Sequence, residues 1–176
     1  MLTLTLLRHA KSSWEEPLDD FDRPLAPRGE KAAPEIGAAL AERGLRPDLI
    51  LCSGALRARE TLALVLAPLG APAPEVIYDD ALYMAAPGTL LRRVQTIASG
   101  FPRDAPRHLM LVGHNPGFEE LALLLVGSGS AEDRARLAAK FPTAATAVIT
   151  FNVDSWAAIA PGTGRLEHFL TPKRLA

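Results

Sequence analysis

Basic and imidazole side chains follow three of the buried segments that the sequence predicts as strands. Arg8 and His9 come directly after the first segment, and His114 follows the fourth. Ser53 and Arg57 lie at and just beyond the end of the second. Guanidinium groups offer forked donors that match phosphate oxygens, and an imidazole can act as a nucleophile. Because ligands bind beyond the carboxyl ends of parallel strands, these side chains predict a single phosphate pocket.

Each of these residues also has an interpretation without chemistry. Arg57 could belong to a solvated helix face with Arg59 and Glu60, and we expect Arg59 to do so. His114 could hydrogen-bond a neighbouring turn, and Cys52, inside an apolar segment, is expected in the core. The convergence of several such residues at strand ends is what favours the pocket.

The segment from Lys11 to Pro27 has no apolar period and is expected to form a flap beside the pocket. Trp14 is expected either to anchor this loop in the core or to contact substrate. The acidic residues of the segment are expected to be solvated; they are Glu15, Glu16, Asp19, Asp20 and Asp22. Their spacing does not match a calcium loop, and the sequence offers no ligand set with magnesium or zinc spacing, so we expect no metal cofactor.

Strand-like and helix-like segments alternate along the chain. Buried strands are predicted at 2–7, 48–53, 75–78 and 108–113, with a hairpin of strands at 145–153 and 165–170. Helices are predicted at 28–43, 55–67, 116–126 and 131–140, with a helical stripe at 90–98. This alternation predicts an α/β fold: a three-layer α/β/α sandwich with a mostly parallel sheet and an antiparallel edge, formed by residues 1–176 as one domain.

The composition excludes several classes of protein. The 176 residues include 19 Lys+Arg and 20 Asp+Glu, for a net charge of −1, which argues against binding to nucleic acid or to a membrane surface. The single Cys52 cannot form an internal disulfide and favours a reducing compartment. Residues 1–7 lack the features of a signal peptide. We therefore expect a cytoplasmic protein.

Three stretches of the sequence resemble motifs of the histidine phosphatase superfamily, whose fold is that of phosphoglycerate mutase. Residues 7–14 look like its Arg-His-Gly signature, residues 53–61 are similar to its Ser, Arg-Ala, Thr motif, and residues 112–115 resemble the motif of its second histidine. Residues 22–25 and 28–29, together with the short length, resemble the SixA-type branch of bacterial phosphohistidine phosphatases.

The resemblance implies a metal-independent phosphatase in which His9 takes up the phosphoryl group. It implies that Arg8, Arg57 and His114 hold the phosphoryl oxygens, and that Ser12 can donate a further hydrogen bond. The favoured substrate is a phosphohistidine of a protein. The alternatives are a phosphatase of small phosphate esters and a module that binds phosphate without turnover.

The sequence departs from the family pattern at three places. Glu15 stands where mutase-like members have an Asn after the Trp, which weakens a mutase interpretation. Ala10 stands where the signature has Gly. Tyr83 and Met84 lie where many relatives carry a Glu proton donor, with Asp79 and Asp80 a few residues earlier as reserve candidates. The general acid is therefore unassigned, which favours a substrate with a good leaving group, such as phosphohistidine.

Overall fold

A seven-stranded sheet forms the centre of the computed structural model, which describes residues 1–175. The strands are β1 (Leu2–Arg8), β2 (Leu49–Cys52), β3 (Glu75–Tyr78), β4 (His108–Gly113), β5 (Val126–Gly129), β6 (Thr146–Phe151) and β7 (Gly164–Leu170). The α-helices are α1 (Pro27–Glu42), α2 (Leu56–Leu69), α3 (Pro87–Gln95), α4 (Gly117–Leu125), α5 (Ala131–Ala139) and α6 (Pro172–Leu175). No helix within this part of the chain is long and apolar enough to cross a lipid bilayer.

The strands lie in the order β3-β2-β4-β1-β6-β7-β5. From β3 to β1 all neighbours are parallel, whereas β6 is antiparallel to both β1 and β7. The expected mostly parallel sheet with an antiparallel edge is confirmed. The apolar runs in β1, β2 and β4 are almost wholly buried, as is typical of strands covered on both faces.

Helices cover the sheet on both faces. Side chains of β4 alternate between two cores, with Leu109 and Leu111 on one face and Met110 and Val112 on the other. Residues of α3, α4 and α5 join the first core, and residues of α1 and α2 join the second. The expected three-layer sandwich is therefore confirmed. Cys52 lies in the second core as expected, and burial raises the pKa of its thiol to about 12.

Two boundaries differ from the sequence prediction. Helix α1 begins at Pro27, one residue before the predicted start, and contains Pro34. The predicted helix ending at Val126 stops one residue earlier, and residues 126–129 form the unpredicted strand β5 beside β7. This segment contains Gly127 and Gly129 and has no apolar alternation, so only its pairing with β7 makes it a strand.

Gly29 sets the distance between α1 and the backbone that follows His9. A Cβ at this position would collide with the Lys11 carbonyl oxygen and lie 2.9 Å from the Lys11 nitrogen. The same carbonyl accepts a hydrogen bond of 2.8 Å from Ala26, just before the helix. Any side chain at 29 would therefore push α1 away from the edge of the sheet where the predicted pocket lies.

Gly29→Ala should lower the free energy of unfolding by about 1–3 kcal/mol, because backbone atoms must move to admit the methyl group. Gly88→Ala is the matched control, since Gly88 lies in α3 and a Cβ there would meet open space. That change should be neutral or stabilising by up to about 1 kcal/mol. Urea denaturation measures both. Equal midpoints for the two variants would contradict the close contact.

Candidate active site

The carboxyl ends of β1, β2 and β4 meet at one edge of the sheet. Arg8 is level with Gly113 across the β1–β4 pair, and the backbone N–H of His9 donates to the Gly113 carbonyl at 2.9 Å. Ser53 N–H donates to the Val112 carbonyl at 2.9 Å. The residues after the three strands are thereby brought together, as the sequence analysis predicted.

His9 is buried, and its Nε2 lies 3.4 Å from Arg57 Nε. Its Nδ1 lies 2.7 Å from the carbonyl oxygen of Ala10. A carbonyl only accepts, so Nδ1 carries the proton and Nε2 keeps its lone pair. Burial lowers the pKa of His9 to about 3; the hydrogen bond to Ala10 opposes this shift, and the nearby Arg57 and Arg8 add to it. At neutral pH the ring is therefore uncharged, with a lone pair on Nε2.

His114 lies against His9, with ring centroids 5.3 Å apart. Its Nε2 is 2.8 Å from Ser53 Oγ, and that oxygen also accepts from Ala55 N–H at 3.3 Å. The Ser53 hydroxyl can then donate its own proton to Nε2, which places the His114 proton on Nδ1. Burial, together with the charge of Arg57, lowers the pKa of His114 to about 4, so this ring is also uncharged.

Two buried donors beside His9 lack an acceptor. Arg8 Nη1 donates to the Phe141 carbonyl at 3.0 Å, but Arg8 Nε is buried without a partner. His114 Nδ1 is likewise buried without a partner. An unsatisfied buried donor costs about 1–3 kcal/mol, so the site fits a ligand with several acceptor oxygens.

Arg57 links His9 to the loop that follows β1. Its Nε lies 3.4 Å from His9 Nε2, while Nη2 is 2.9 Å from Asp20 Oδ2 and Nη1 is 2.5 Å from the Asp20 carbonyl. The side chain is only 3% exposed. The Arg57 guanidinium thus contacts both the His9 ring and the Asp20 carboxylate.

Asp20 is exposed, as expected for a residue of a solvated loop, but it also binds residues of the site, which the sequence did not predict. Its carboxylate accepts hydrogen bonds from the Tyr83 hydroxyl, from Arg57 and from Arg23 Nε at 3.1 Å. These bonds, that of Tyr83 above all, lower the pKa of Asp20 to about 2. Like Asp20, the other four acidic residues of the segment are exposed, as expected. No spacing in the sequence signals Asp20, because an aperiodic loop carries it to the site.

Tyr83 lies in the stretch of sequence where a general acid was expected. Its ring meets the His114 ring edge-on, with centroids 5.2 Å apart. Its hydrogen bond to Asp20 raises the pKa of the phenol. Asp79 instead binds Arg93 Nε at 2.9 Å, and no hydrogen bond within residues 1–175 joins Asp79 or Asp80 to the four pocket side chains.

Thr61, the last residue of the motif at 53–61, links the backbone of Ala10 to the backbone of Arg57. Its hydroxyl accepts from Ala10 N–H at 2.9 Å and donates to the Arg57 carbonyl at 2.7 Å. Nothing in the sequence analysis assigned it this role.

Ser12 and Trp14 lie further along the loop. Ser12 pairs through its backbone with Leu25, and among the described residues its side chain makes no hydrogen bond to the four pocket side chains. Trp14 is 73% exposed, with the Arg23 guanidinium 3.4 Å from its ring centroid. It does not anchor the loop in the core.

Lowering the pH from 7 to 5 should reduce the free energy of unfolding. An imidazole in the unfolded chain takes up its proton near pH 6.5, whereas His9 and His114 stay neutral in the folded chain down to about pH 3 and about pH 4. The unfolded state then binds more protons, and each group contributes a slope approaching about 1.4 kcal/mol per pH unit. Urea denaturation at several pH values should give a shallower slope for His9→Asn. An identical slope would show that His9 titrates normally in the folded protein.

The sequence matches known proteins of one family. The model of the histidine phosphatase superfamily (branch 1) matches residues 4–109. An uncharacterized protein of Mycobacterium tuberculosis strain H37Rv is 39% identical over 170 residues, which cover 95% of this chain and 100% of that protein.

Two solved structures share both fold and sequence with this chain. One is the Agrobacterium tumefaciens protein SixA, assigned as a phosphohistidine phosphatase, with a TM-score of 0.76 and 33% identity, covering 97% of this chain and 98% of its own. The other is a SixA protein with the same assignment from Nakamurella multipartitia, with a TM-score of 0.78 and 30% identity, covering 97% and 96%. The resemblance found in the motifs is confirmed, and the chain belongs to the histidine phosphatase superfamily, as a phosphatase of its SixA-type branch.

Proposed function

We propose that this phosphatase hydrolyses phosphohistidine in proteins through a phosphoryl group carried on His9. The main support for this substrate class is the carboxylate of Asp20, which is ionised. It binds the end of the Arg57 guanidinium that points away from His9. The Agrobacterium and Nakamurella relatives, both assigned as phosphohistidine phosphatases, support the same substrate.

In the first step His9 Nε2 attacks the phosphorus, and the bond from phosphorus to the substrate imidazole nitrogen breaks. Arg8 Nε and His114 Nδ1, the two buried donors without partners, bind the phosphoryl oxygens, and Arg57 joins them. These donors are held in place before the reaction, so they stabilise the charge that spreads over the oxygens in the transition state.

The leaving group departs on the side opposite His9, because phosphoryl transfer is in line. We propose that Asp20 lies on that side, because it binds the Arg57 Nη atoms while Arg57 Nε lies beside His9. A carboxylate there accepts an N–H of the protonated substrate ring, which then leaves as neutral imidazole. An alkoxide would instead need a proton, and an acid with a pKa of about 2 is already ionised at neutral pH and has none to give.

In the second step water attacks the phosphorus, the bond to His9 Nε2 breaks, and inorganic phosphate leaves. One proton of the water passes to the Asp20 carboxylate and from there to solvent. His9 returns to its neutral form, with its proton on the nitrogen that faces Ala10.

We further propose that no metal ion takes part. The fixed charges of Arg8 and Arg57 lie where a metal would otherwise neutralise the phosphoryl oxygens. Residues 1–175 hold no group of three or more His, Cys, Asp or Glu side chains placed to bind a metal.

His9→Ala should lower turnover by at least about a thousandfold, because the covalent step has no substitute. The assay uses p-nitrophenyl phosphate and a phosphohistidine peptide, both in the presence of EDTA. Wild type should also yield an acid-labile phosphoryl label that the variant lacks. His168→Ala, on β7, is the control and should keep its activity. More than a tenth of wild-type turnover in His9→Ala would show that another group is the nucleophile.

Asp20→Asn should lower kcat/KM for phosphohistidine relative to kcat/KM for p-nitrophenyl phosphate by about tenfold, the worth of one hydrogen bond to a charged group. The aryl oxygen leaves without a positive charge, so the aryl substrate loses only what both substrates lose through Arg57 and the water step. Asp22→Asn is the matched control, since Asp22 lies in the same turn and is exposed. Equal effects of Asp20→Asn on both substrates would show that Asp20 does not face the leaving group.

A further inference from the structure

A cavity of about 670 Å³ lies next to the site formed by Arg8, His9, Arg57 and His114, which we call the phosphoryl site. Its walls come from the first half of α1, from the C-terminal end of α5 with the turn after it, and from the segment from the end of β7 into α6. Glu35 is the single acid among its lining residues. Six of the 19 Lys and Arg residues line it: Lys11, Arg28, Lys31, Arg136, Lys140 and Lys173. We call this cavity the basic pocket.

The cations of the basic pocket are mostly free. Arg136 is engaged by Asp133 at 2.9 Å and by the Phe169 carbonyl at 3.0 Å. No Asp or Glu side chain within residues 1–175 lies within 4.0 Å of the charged nitrogens of the other five. In a chain with a net charge of −1, this is a strong local concentration of positive charge, and it attracts an acidic partner.

The basic pocket shares its wall with the phosphoryl site. Lys11 follows His9 by two residues, so their Cα atoms are at most ~7 Å apart. Pro142 and Thr143 line the pocket, and the residues on either side of them support the site: the Phe141 carbonyl accepts from Arg8, and Ala144 N–H donates to the His9 carbonyl. A partner bound in the pocket therefore lies beside the reacting phosphoryl group.

The chemistry of the pocket fits an acidic peptide segment. A phosphate subsite is built from buried, oriented donors, as in the neighbouring site, whereas Lys11, Arg28, Lys31 and Lys140 are exposed. Exposed cations around an apolar floor are typical of a protein-binding rim, and Ala32, Ala139 and Pro142 provide apolar surface here.

We infer that the basic pocket binds Asp and Glu side chains that flank the phosphohistidine of a protein substrate, and so selects substrates with an acidic surface. The inference rests on the proposed function and adds the chemistry of the partner. It assigns Lys31 and Lys140 to substrate selection, on opposite walls of the pocket.

Two phosphohistidine peptides of equal length, prepared with phosphoramidate, test the inference. One carries Asp and Glu around the histidine, and the other carries Asn and Gln. Wild type should show kcat/KM on the order of tenfold higher for the acidic peptide at ~0.01 M salt, and the preference should vanish near ~1 M salt. Lys31→Glu/Lys140→Glu should abolish or reverse the preference, and Lys31→Gln/Lys140→Gln should weaken it.

Arg92→Glu/Arg103→Glu makes the same change in net charge at exposed positions outside the pocket and should keep the preference. Loss of the preference in this control as well would show that net charge alone is responsible and would overturn the inference. Equal rates on both peptides in wild type would also overturn it and leave the phosphohistidine assignment intact. Hydrolysis of p-nitrophenyl phosphate but of neither peptide would overturn the phosphohistidine assignment and this inference together.

Discussion

Two guanidinium groups, Arg57 buried and Arg8 half-buried, lie beside two buried imidazoles at one edge of the sheet, and the rest of the site depends on how their charges are balanced. A charged group that leaves water needs compensating partners. Arg57 finds one in Asp20, whereas Arg8 has the Phe141 carbonyl and a buried Nε without an acceptor. In the proposed mechanism a phosphoryl group supplies the missing acceptor oxygens.

The protons within the site are placed by neighbouring groups. The Ala10 carbonyl holds the His9 proton on Nδ1, so Nε2 keeps the lone pair that the proposed reaction uses. A proton donated by the Ser53 hydroxyl gives His114 the same tautomer. Both imidazoles are therefore uncharged but present different atoms to a ligand. His9 presents a lone pair on Nε2, and His114 presents a proton on Nδ1. Burial keeps both rings neutral, because a charged imidazole beside Arg57 would be strongly disfavoured.

Charged side chains form three regions in and beside the site: a positive inner part, the negative carboxylate of Asp20 and the positive basic pocket. In the proposed function these regions face the phosphoryl group, the leaving imidazole and the acidic surface of the substrate protein. Arg8 and Arg57 make the inner part of the site positive, and the proposed mechanism places the phosphoryl oxygens there. The carboxylate of Asp20 lies on the outer side, where a protonated imidazole would depart. Beyond the wall that contains Pro142, the basic pocket is positive again and suits an acidic surface. The near-neutral total charge conceals these regions, because opposite charges cancel in a sum over the whole chain.

The sequence by itself determined the layered fold and the meeting of Arg8, His9, Arg57 and His114. Apolar runs and helical periods are local signals, and parallel strands carry the residues at their carboxyl ends to one edge. Only the tertiary structure decided the contacts made by segments without such a period. Strand β5 exists because β7 offers it an edge, and Asp20 reaches Arg57 because an aperiodic loop folds back over the site. The basic pocket likewise joins residues from three distant parts of the chain, and no spacing along the sequence records a contact of that kind.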